Sequence, residues 1–333
     1  MKKEQVNKLI ENCAFEDKCE NTELIETHIS WVVLTDNYAF KIKRPVQYSF
    51  VDFSSLEKRR YYCDQEIKLN SRLASEMYMA VVPVTADMID GGPFDRSHKV
   101  IDYMVQMERM DNDKEMHRML ENKKVKKHHV EKLAEKVADF HKNARIIKNA
   151  FDTGGFQETY KDILEVRDFV KKEAGDEYAE IISRAVTISD EFLNSHRSYF
   201  NERILRNFRR DCHGDLNARN IFLYEDPVIF DCIEFNKYLR FIDVLNEIAF
   251  LCVDLDYYGY ESLSDHFYNS YLEAYGAEED ETSERLFMYY KSYRANVRAK
   301  VEAISAQKNE SGGGETGTVK RYLDLMDRYL ENF

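Results

Sequence analysis

The chain has 333 residues, a formal charge of −13, and 44% hydrophobic against 33% charged residues. That balance supplies a globular core and excludes a low-hydrophobicity disordered chain. The acidic total argues against a nucleic-acid-binding surface, and it suits either plain solubility or a cationic substrate.

No stretch approaches the ~18 apolar residues of a membrane span, and no apolar segment follows Met1-Lys2-Lys3 to form a signal peptide. The cysteines at 13, 19, 63, 212, 232 and 252 form no C-x-x-C pair and no zinc-ligand spacing with histidine. The expectation is a cytoplasmic protein with reduced thiols and no membrane or nucleic-acid partner.

In chain order, a helix is predicted over Lys3–Cys13. β-type runs follow at Ile29–Leu34 and Tyr38–Lys43, with the turn pair Asp36-Asn37 between them. A helix opening at Ser54, with Glu57 three residues on as a capping box, runs to about Ala74. Strands are expected at Ala80–Val84 and Val100–Met107, separated by Asp90-Gly91-Gly92-Pro93. The first hundred or so residues thus read β-β-α-β-β, a sheet with one helix against it.

From about Met110 the pattern is mainly helical, with Val130, Leu133, Val137 and Phe140 at helical spacing. Further helices are predicted across 157–174, 178–202, 241–253, 262–275, 281–307 and 316–331. The exception is an island at 207–235, where strands Ile221–Tyr224 and Val228–Ile233 flank Glu225-Asp226-Pro227. Ser311–Thr318 reads as a loop and lacks the G-x-x-x-x-G-K-[ST] pattern of a P-loop. The expected division is a small nucleotide-binding lobe over 1–108 and a helical catalytic and substrate lobe over 109–333.

The chemistry concentrates in Cys212-His213-Gly214-Asp215-Leu216-Asn217-Ala218-Arg219-Asn220, followed on the hairpin by Ile229-Phe230-Asp231. An acid and an amide stand five positions apart, and a second acid follows eleven positions later. Phosphoryl transfer from ATP needs such a set: one carboxylate to orient the attacking hydroxyl, and an oxygen-bearing pair to hold Mg²⁺ against the phosphates. The spacing H-x-D-x-x-x-x-N, then an apolar-apolar-Asp strand, is that of kinase catalytic and metal loops. An isolated H-G-D is a weak signal, since Asp and Asn are common turn formers; the hairpin and the upstream sheet strengthen it.

The segment His213–Asp243 resembles the aminoglycoside phosphotransferase and choline-kinase-like group. Thr27–Trp31, Tyr38–Pro45, Asp52-Phe53, Cys232–Phe235 and Arg294–Lys300 resemble a bacterial branch of predicted aminoglycoside phosphotransferases, often fused to a gluconate-kinase-like P-loop domain that has no counterpart here. The resemblance implies a two-lobed, protein-kinase-like α+β fold, with a β-rich N-lobe carrying one key helix and a helical C-lobe. It also implies an ATP- and Mg²⁺-dependent phosphotransferase acting on an alcohol group of a small molecule. Asp215 would orient the hydroxyl, Asn220 and Asp231 would bind Mg²⁺, and His213 would brace the loop. Arg219 would steady the transferred phosphate or pair with an acidic neighbour.

In the first lobe Lys41 is expected to grip the phosphates, with Lys43 on the same strand face as the alternative. Glu66, on the inward stripe of its helix, would pair with that lysine. The backbone of Tyr103–Arg109, Met107 included, would receive adenine. The turn Thr27-His28-Ile29-Ser30 carries no glycine, so the hydroxyls of Ser30 and Thr27, or amides of a tighter turn, would serve the phosphates.

Glu234 is open between a second metal ligand, a contact for a cationic substrate, and a cap. Asp243 is read as structural. Asp254, Asp256, Tyr257, Tyr258 and Tyr260 are read as substrate-pocket or core residues, and Arg294 and Arg298 as anion receptors or internal ion-pair partners. The rival readings are a pseudokinase that only binds nucleotide, supported by the glycine-free turn, and a protein kinase, opposed by the lack of an A-P-E-type segment.

Overall fold

The computed structural model describes residues 1–48, 50–92, 99–277, 280–308 and 314–333. Helix α1 (Lys3–Glu11) precedes strands β1 (Glu23–Glu26), β2 (Ser30–Leu34), β3 (Tyr38–Lys43), β4 (Gln47–Tyr48) and β5 (Val51–Asp52). Next come α2 (Leu56–Asn70), β6 (Tyr78–Thr85), α3 (Ala86–Ile89) and β7 (Val100–Glu108). The helical stretch holds α4 (Met116–Glu121), α5 (Lys127–Asn143), α6 (Thr153–Lys161), α7 (Arg167–Ala174), α8 (Asp176–Ser195) and α9 (Arg197–Leu205). The short strands β8 (Arg209–Asp211), β9 (Ile221–Phe222), β10 (Val228–Ile229) and β11 (Phe241–Asp243) follow. The chain closes through α10 (Val244–Tyr257), α11 (Glu261–Tyr275), α12 (Glu281–Lys308) and α13 (Gly314–Leu330). Among the described residues no helix is long and apolar enough to cross a membrane.

The chain forms two compact units, one of Met1–Arg118 with Asn220–Leu239 and one of Met119–Arg219 with Arg240–Phe333. In the first, an antiparallel sheet runs in the order β1-β2-β3-β7-β6. Strand alternation gives it two apolar faces. Trp31, Val33, Phe40, Ile42 and Met104 pack with α1 and α3 through Val6, Leu9 and Met88. On the other face Leu34, Ala39, Val105 and Met107 pack with Cys63 of α2 and Phe222 of the β9–β10 hairpin. Lys41 and Lys43 share that second face.

In the second unit, α10 is buried at every residue from Val244 to Asp256 and packs against α11, α12 and α13. An apolar helix with no wet face belongs at the centre of a helical core. Asp243 caps it, accepting from Leu245 N at 2.9 Å, and also takes Arg203 through two nitrogens at 2.6 and 2.8 Å. The structural reading of Asp243 holds.

Several sequence expectations are corrected in detail. The α2 cap is Ser55, whose hydroxyl accepts from Lys58 N at 3.2 Å, while Ser54 turns to Asp52. The hairpin strands are short, so Asp231 follows β10 rather than ending it. Helix 157–174 divides at a 3₁₀ turn over Asp162–Val166, and 178–202 divides at His196. The predicted loop Ser311–Thr318 is helical from Gly314 on; Ser311–Gly313, like Pro93 of the earlier turn, lies outside the described residues.

The thiols are not all reduced. Cys13 and Cys19 form a disulfide, while Cys63, Cys212, Cys232 and Cys252 are free and buried. Cys13 leaves α1 with φ of 44°, which folds the chain back and brings the two Cα atoms to 5.8 Å, within bridging range.

Candidate active site

In the first unit the sheet face bearing Lys41 and Lys43 meets the inward stripe of α2. Lys41 Nζ lies 2.8 Å from Glu66 Oε1 and 2.5 Å from Asp231 Oδ1. Lys43 Nζ lies 2.6 Å from Glu66 Oε2 and also pairs with Glu234. Both lysines therefore share one carboxylate. They differ in access, because the Lys41 side chain keeps 13% exposure and that of Lys43 has none.

Burial alone would lower the Lys41 amine's pKa, but Asp231 and then Glu66 raise it well above its ordinary value. Burial works against the Glu66 carboxylate too, yet Lys41 and Lys43 bring its pKa down to about 2. Glu234 goes the other way, raised by burial and by the nearby charge of Glu66 despite Lys43.

The β9–β10 hairpin positions Asn220 and Asp231, the two candidate metal ligands. Phe230 N donates to the Asn220 carbonyl at 3.0 Å, so Asn220 and Asp231 stand at one end of the hairpin. Asp231 adopts φ of 61°, a left-handed conformation that Asp tolerates better than most residues. Neighbours hold it there: Asp231 N donates to Tyr78 Oη at 3.2 Å, and Cys232 N donates to Asn70 Oδ1 at 2.8 Å. Asn70 in turn donates to the Glu66 carbonyl at 2.9 Å, tying the loop to α2.

This donor set suits Mg²⁺. Asn220 and Asp231 offer oxygen ligands, and the Asp231 side chain keeps 44% exposure. Three carboxylates (Glu66, Asp231 and Glu234) face two ammonium groups, so the cluster is short of positive charge.

Two expected nucleotide contacts sit differently. Ser30 is buried on β2, whereas Thr27 closes the glycine-free turn: its hydroxyl accepts from Ser30 N at 2.9 Å and donates to Ser30 O at 3.0 Å. Met107 lies on β7 between β3 and β6, opposite Ala39 and Tyr78, with its side chain in the apolar cluster. An interior strand spends its backbone groups on its neighbours. Beyond it, Glu108 N donates to Met77 O and Arg109 N to Asn37 O. The Glu108 and Arg109 amides, at the end of the stretch expected to receive adenine, are therefore engaged within this unit.

In the second unit the H-G-D loop leaves the β8–β11 ladder, where Cys212 N donates to Arg240 O at 2.9 Å. Gly214 takes φ of 91°, a conformation that requires glycine there. His213 N donates to Glu247 Oε1 at 2.6 Å, and Gly214 N reaches Glu247 Oε2 at 3.0 Å. The His213 ring accepts from Asp215 N at 3.3 Å, consistent with a bracing role. Past Asp215, Asn217 Nδ2 donates to Asp215 O at 3.1 Å and Arg219 N donates to Asn217 Oδ1 at 2.9 Å. The Asp215 side chain is half-buried and Arg219 is exposed.

The remaining candidates have internal partners. Arg294 Nε donates to Asn246 Oδ1 at 2.7 Å, and Arg298 Nε faces Asp254 at 3.6 Å. Asp256 pairs with Lys291 at 2.6 Å and accepts from Tyr329. Tyr257 stacks on Tyr322 at 4.4 Å, and Tyr260 donates to Leu120 O at 2.9 Å. Burial lifts the Tyr258 hydroxyl to about 12. Sequence reasoning missed Glu247, whose signal was an acid within the apolar run of α10, and it read Lys43 only as a substitute for Lys41.

No family model matches the chain. Uncharacterized proteins of Mycobacterium tuberculosis and Mycobacterium bovis are 32% identical to it over 312 residues, covering 92% of this chain and 59% of each relative. The chain thus spans somewhat more than half the length of these curated relatives. A choline/ethanolamine kinase family protein from Mesorhizobium loti superposes with a TM-score of 0.57 at 12% identity, covering 98% of both chains. An ADP-bound aminoglycoside phosphotransferase gives 0.52 at 16% identity, covering 99% of both. An amicoumacin kinase in complex with AMP-PNP and Ca²⁺ gives 0.55 at 12% identity, over 98% of this chain and 96% of that one. The chain has the two-lobed, kinase-like α+β fold that these proteins share.

Proposed function

We propose that the chain is an ATP- and Mg²⁺-dependent phosphotransferase that moves the γ-phosphoryl group to a hydroxyl of a small molecule, of aminoglycoside, sugar or amino-alcohol type. The observation that carries this reading is the Lys41–Glu66 pair beside Asp231, with Asn220 at the same hairpin end. A lysine held by a helix carboxylate next to an Asp/Asn oxygen pair is the phosphate-binding arrangement of kinases. The fold shared with small-molecule kinases supports the same reading.

Lys41, rather than Lys43, is assigned to the phosphates because its side chain keeps 13% exposure and reaches the partly exposed Asp231, whereas that of Lys43 has none. Asn220 and Asp231 are assigned to Mg²⁺. Bound there, the ion would neutralise phosphate charge and align the transferred group. Asp215 orients the acceptor hydroxyl and takes its proton as the bond forms, on a loop braced by His213 and Glu247. Arg219 is assigned to the charge of the transferred phosphate. The rival reading, nucleotide binding without transfer, draws on the turn that Thr27 closes without glycine.

A screen of hydroxyl-bearing metabolites for Mg²⁺-dependent ATP consumption tests the proposal, with Asp215→Asn as control. The expected result is turnover with at least one acceptor, reduced at least ~10³-fold in the variant while nucleotide still binds. Equal turnover by the variant, or nucleotide binding with no turnover on any acceptor, would overturn it.

A further inference from the structure

Two buried carboxylates on α10 grip the backbone of the H-G-D loop on opposite sides of Asp215. Glu247 accepts from the amides of His213 and Gly214. Asp254, seven residues later and so nearly two helical turns along the same stripe, accepts from Ala218 N through Oδ2 at 2.9 Å. Its other oxygen faces Tyr322 Oη at 3.2 Å and Arg298 Nε at 3.6 Å. Asp254 is 1% exposed, and Ala218 is fully buried.

We infer that Asp254 is a positioning residue: its hold on the Ala218 amide fixes the Asn217–Arg219 turn, and Tyr322 of α13 and Arg298 of α12 hold Asp254 in turn. The inference rests on the phosphotransferase reading for its kinetic consequence and on geometry alone for its structural one. A short loop between a strand and a hairpin has few restraints of its own, and reactive geometry must be kept to about half an ångström. A backbone amide that donates to a fully buried acceptor, where no water competes, is a firm restraint, and losing that acceptor leaves the amide unsatisfied. Glu247 fixes the entry to the loop, and the turn after Asp215 carries local bonds of its own: Asn217 Nδ2 to Asp215 O, and Arg219 N to Asn217 Oδ1. Asp254 anchors that turn to the core. Tyr322 extends the anchor to the last helix, where its ring also stacks on Tyr257.

An amide-acceptor role and an ion-pair role make opposite predictions for asparagine. Asp254→Asn keeps an oxygen for Ala218 N and loses the charge opposite Arg298; Asp254→Ala loses both. The expected result is a kcat about 30–100-fold lower in Asp254→Ala with KM for ATP within about twofold, and Asp254→Asn within about threefold of the parent. Tyr322→Phe, which removes one hydroxyl and keeps the ring, is expected to lower kcat by about threefold.

Hydrogen exchange of the amides over 213–219 is the second readout and needs no turnover. Exchange should be at least ~10-fold faster in Asp254→Ala, intermediate in Tyr322→Phe and near parental in Asp254→Asn. Asparagine as impaired as alanine in both readouts would assign Asp254 to its ion pair and overturn the inference. So would parental kcat and exchange in Asp254→Ala or, if that variant does not fold, in Tyr322→Phe. A parent with no turnover but the expected exchange pattern would remove the phosphotransferase reading and keep the positioning role.

Discussion

Lys41 and Lys43 approach the same carboxylate, Glu66, from one strand face, at 2.8 and 2.6 Å through its two oxygens. Side chains two apart on a strand point the same way, so a helix acid lying over that face meets both. Glu66 is thus the hinge of a five-member charge cluster whose outer member, Asp231, remains half exposed.

Removing Glu66 leaves two buried ammonium groups short of their shared partner. Glu66→Ala is expected to destabilise the fold by about 3–5 kcal/mol, the usual cost of stripping one member from a buried pair. Urea unfolding measures it: the midpoint should fall while the slope stays constant. A loss below about 1 kcal/mol would mean that water reaches and solvates the two lysines.

The same carboxylate sets a pH signature. Its folded pKa of about 2 lies below the ordinary 4.5, so its contribution is fully present above pH 4.5 and is lost as pH falls from there toward 2. Glu234, whose pKa is raised, acts in the opposite sense as it protonates. The difference between parent and Glu66→Gln isolates the Glu66 part. Unfolding midpoints compared between pH 5 and 2.5 should converge as pH falls; a constant gap would contradict the ion-paired assignment.

The two lysines should separate by phenotype. Lys41→Met is expected to raise KM for ATP about 10–100-fold with modest effect on unfolding, since Lys41 retains access and sits beside Asp231. Lys43→Met leaves Glu234 buried without its cation and is expected to cost several kcal/mol in stability. Steady-state kinetics and denaturant curves on both variants decide it. The reverse pattern would give the phosphates to Lys43.

What the sequence made legible follows from how strongly chemistry restricts residue type. Asp215, Asn220 and Asp231 stood out as candidates because transfer chemistry demands those groups at fixed offsets, and the Lys41–Glu66 pair was readable because a lone acid on an inward helix stripe wants a cation. The β-β-α-β-β order was readable from alternation and turn residues; β1, short and largely exposed as Glu23–Glu26, carried too little pattern to be placed. Glu247 and Asp254 were not readable as loop anchors. Nothing in the run Val244–Tyr257 says which backbone amides will lie opposite, and Asp254 and Asp256 equally suggested a substrate pocket. That Met107 would lie between β3 and β6, with its side chain in the apolar cluster, was not readable, because a strand's place in the sheet is a property of the sheet rather than of the strand.

The Cys13–Cys19 bridge was equally hidden, since spacing does not fix Cα separation; its consequence is testable. The bridge closes a short loop containing Asp17, which accepts from Asn37 N at 2.8 Å, Asn37 Nδ2 at 2.7 Å and Tyr38 N at 3.2 Å. Despite partial burial, the Thr35 hydroxyl and then the Asn37 side chain and amide hold the Asp17 carboxyl well below the usual range. The loop therefore clamps the β2–β3 turn, and with it the strand that carries Lys41. Closing so short a loop is worth about 2 kcal/mol in chain entropy. Cys13→Ser with Cys19→Ser is expected to lose that amount, and dithiothreitol should lower the parent's unfolding midpoint to match while leaving the double variant unmoved. Equal midpoints with and without reductant in the parent would show that the Asp17 contacts hold the turn without the bridge.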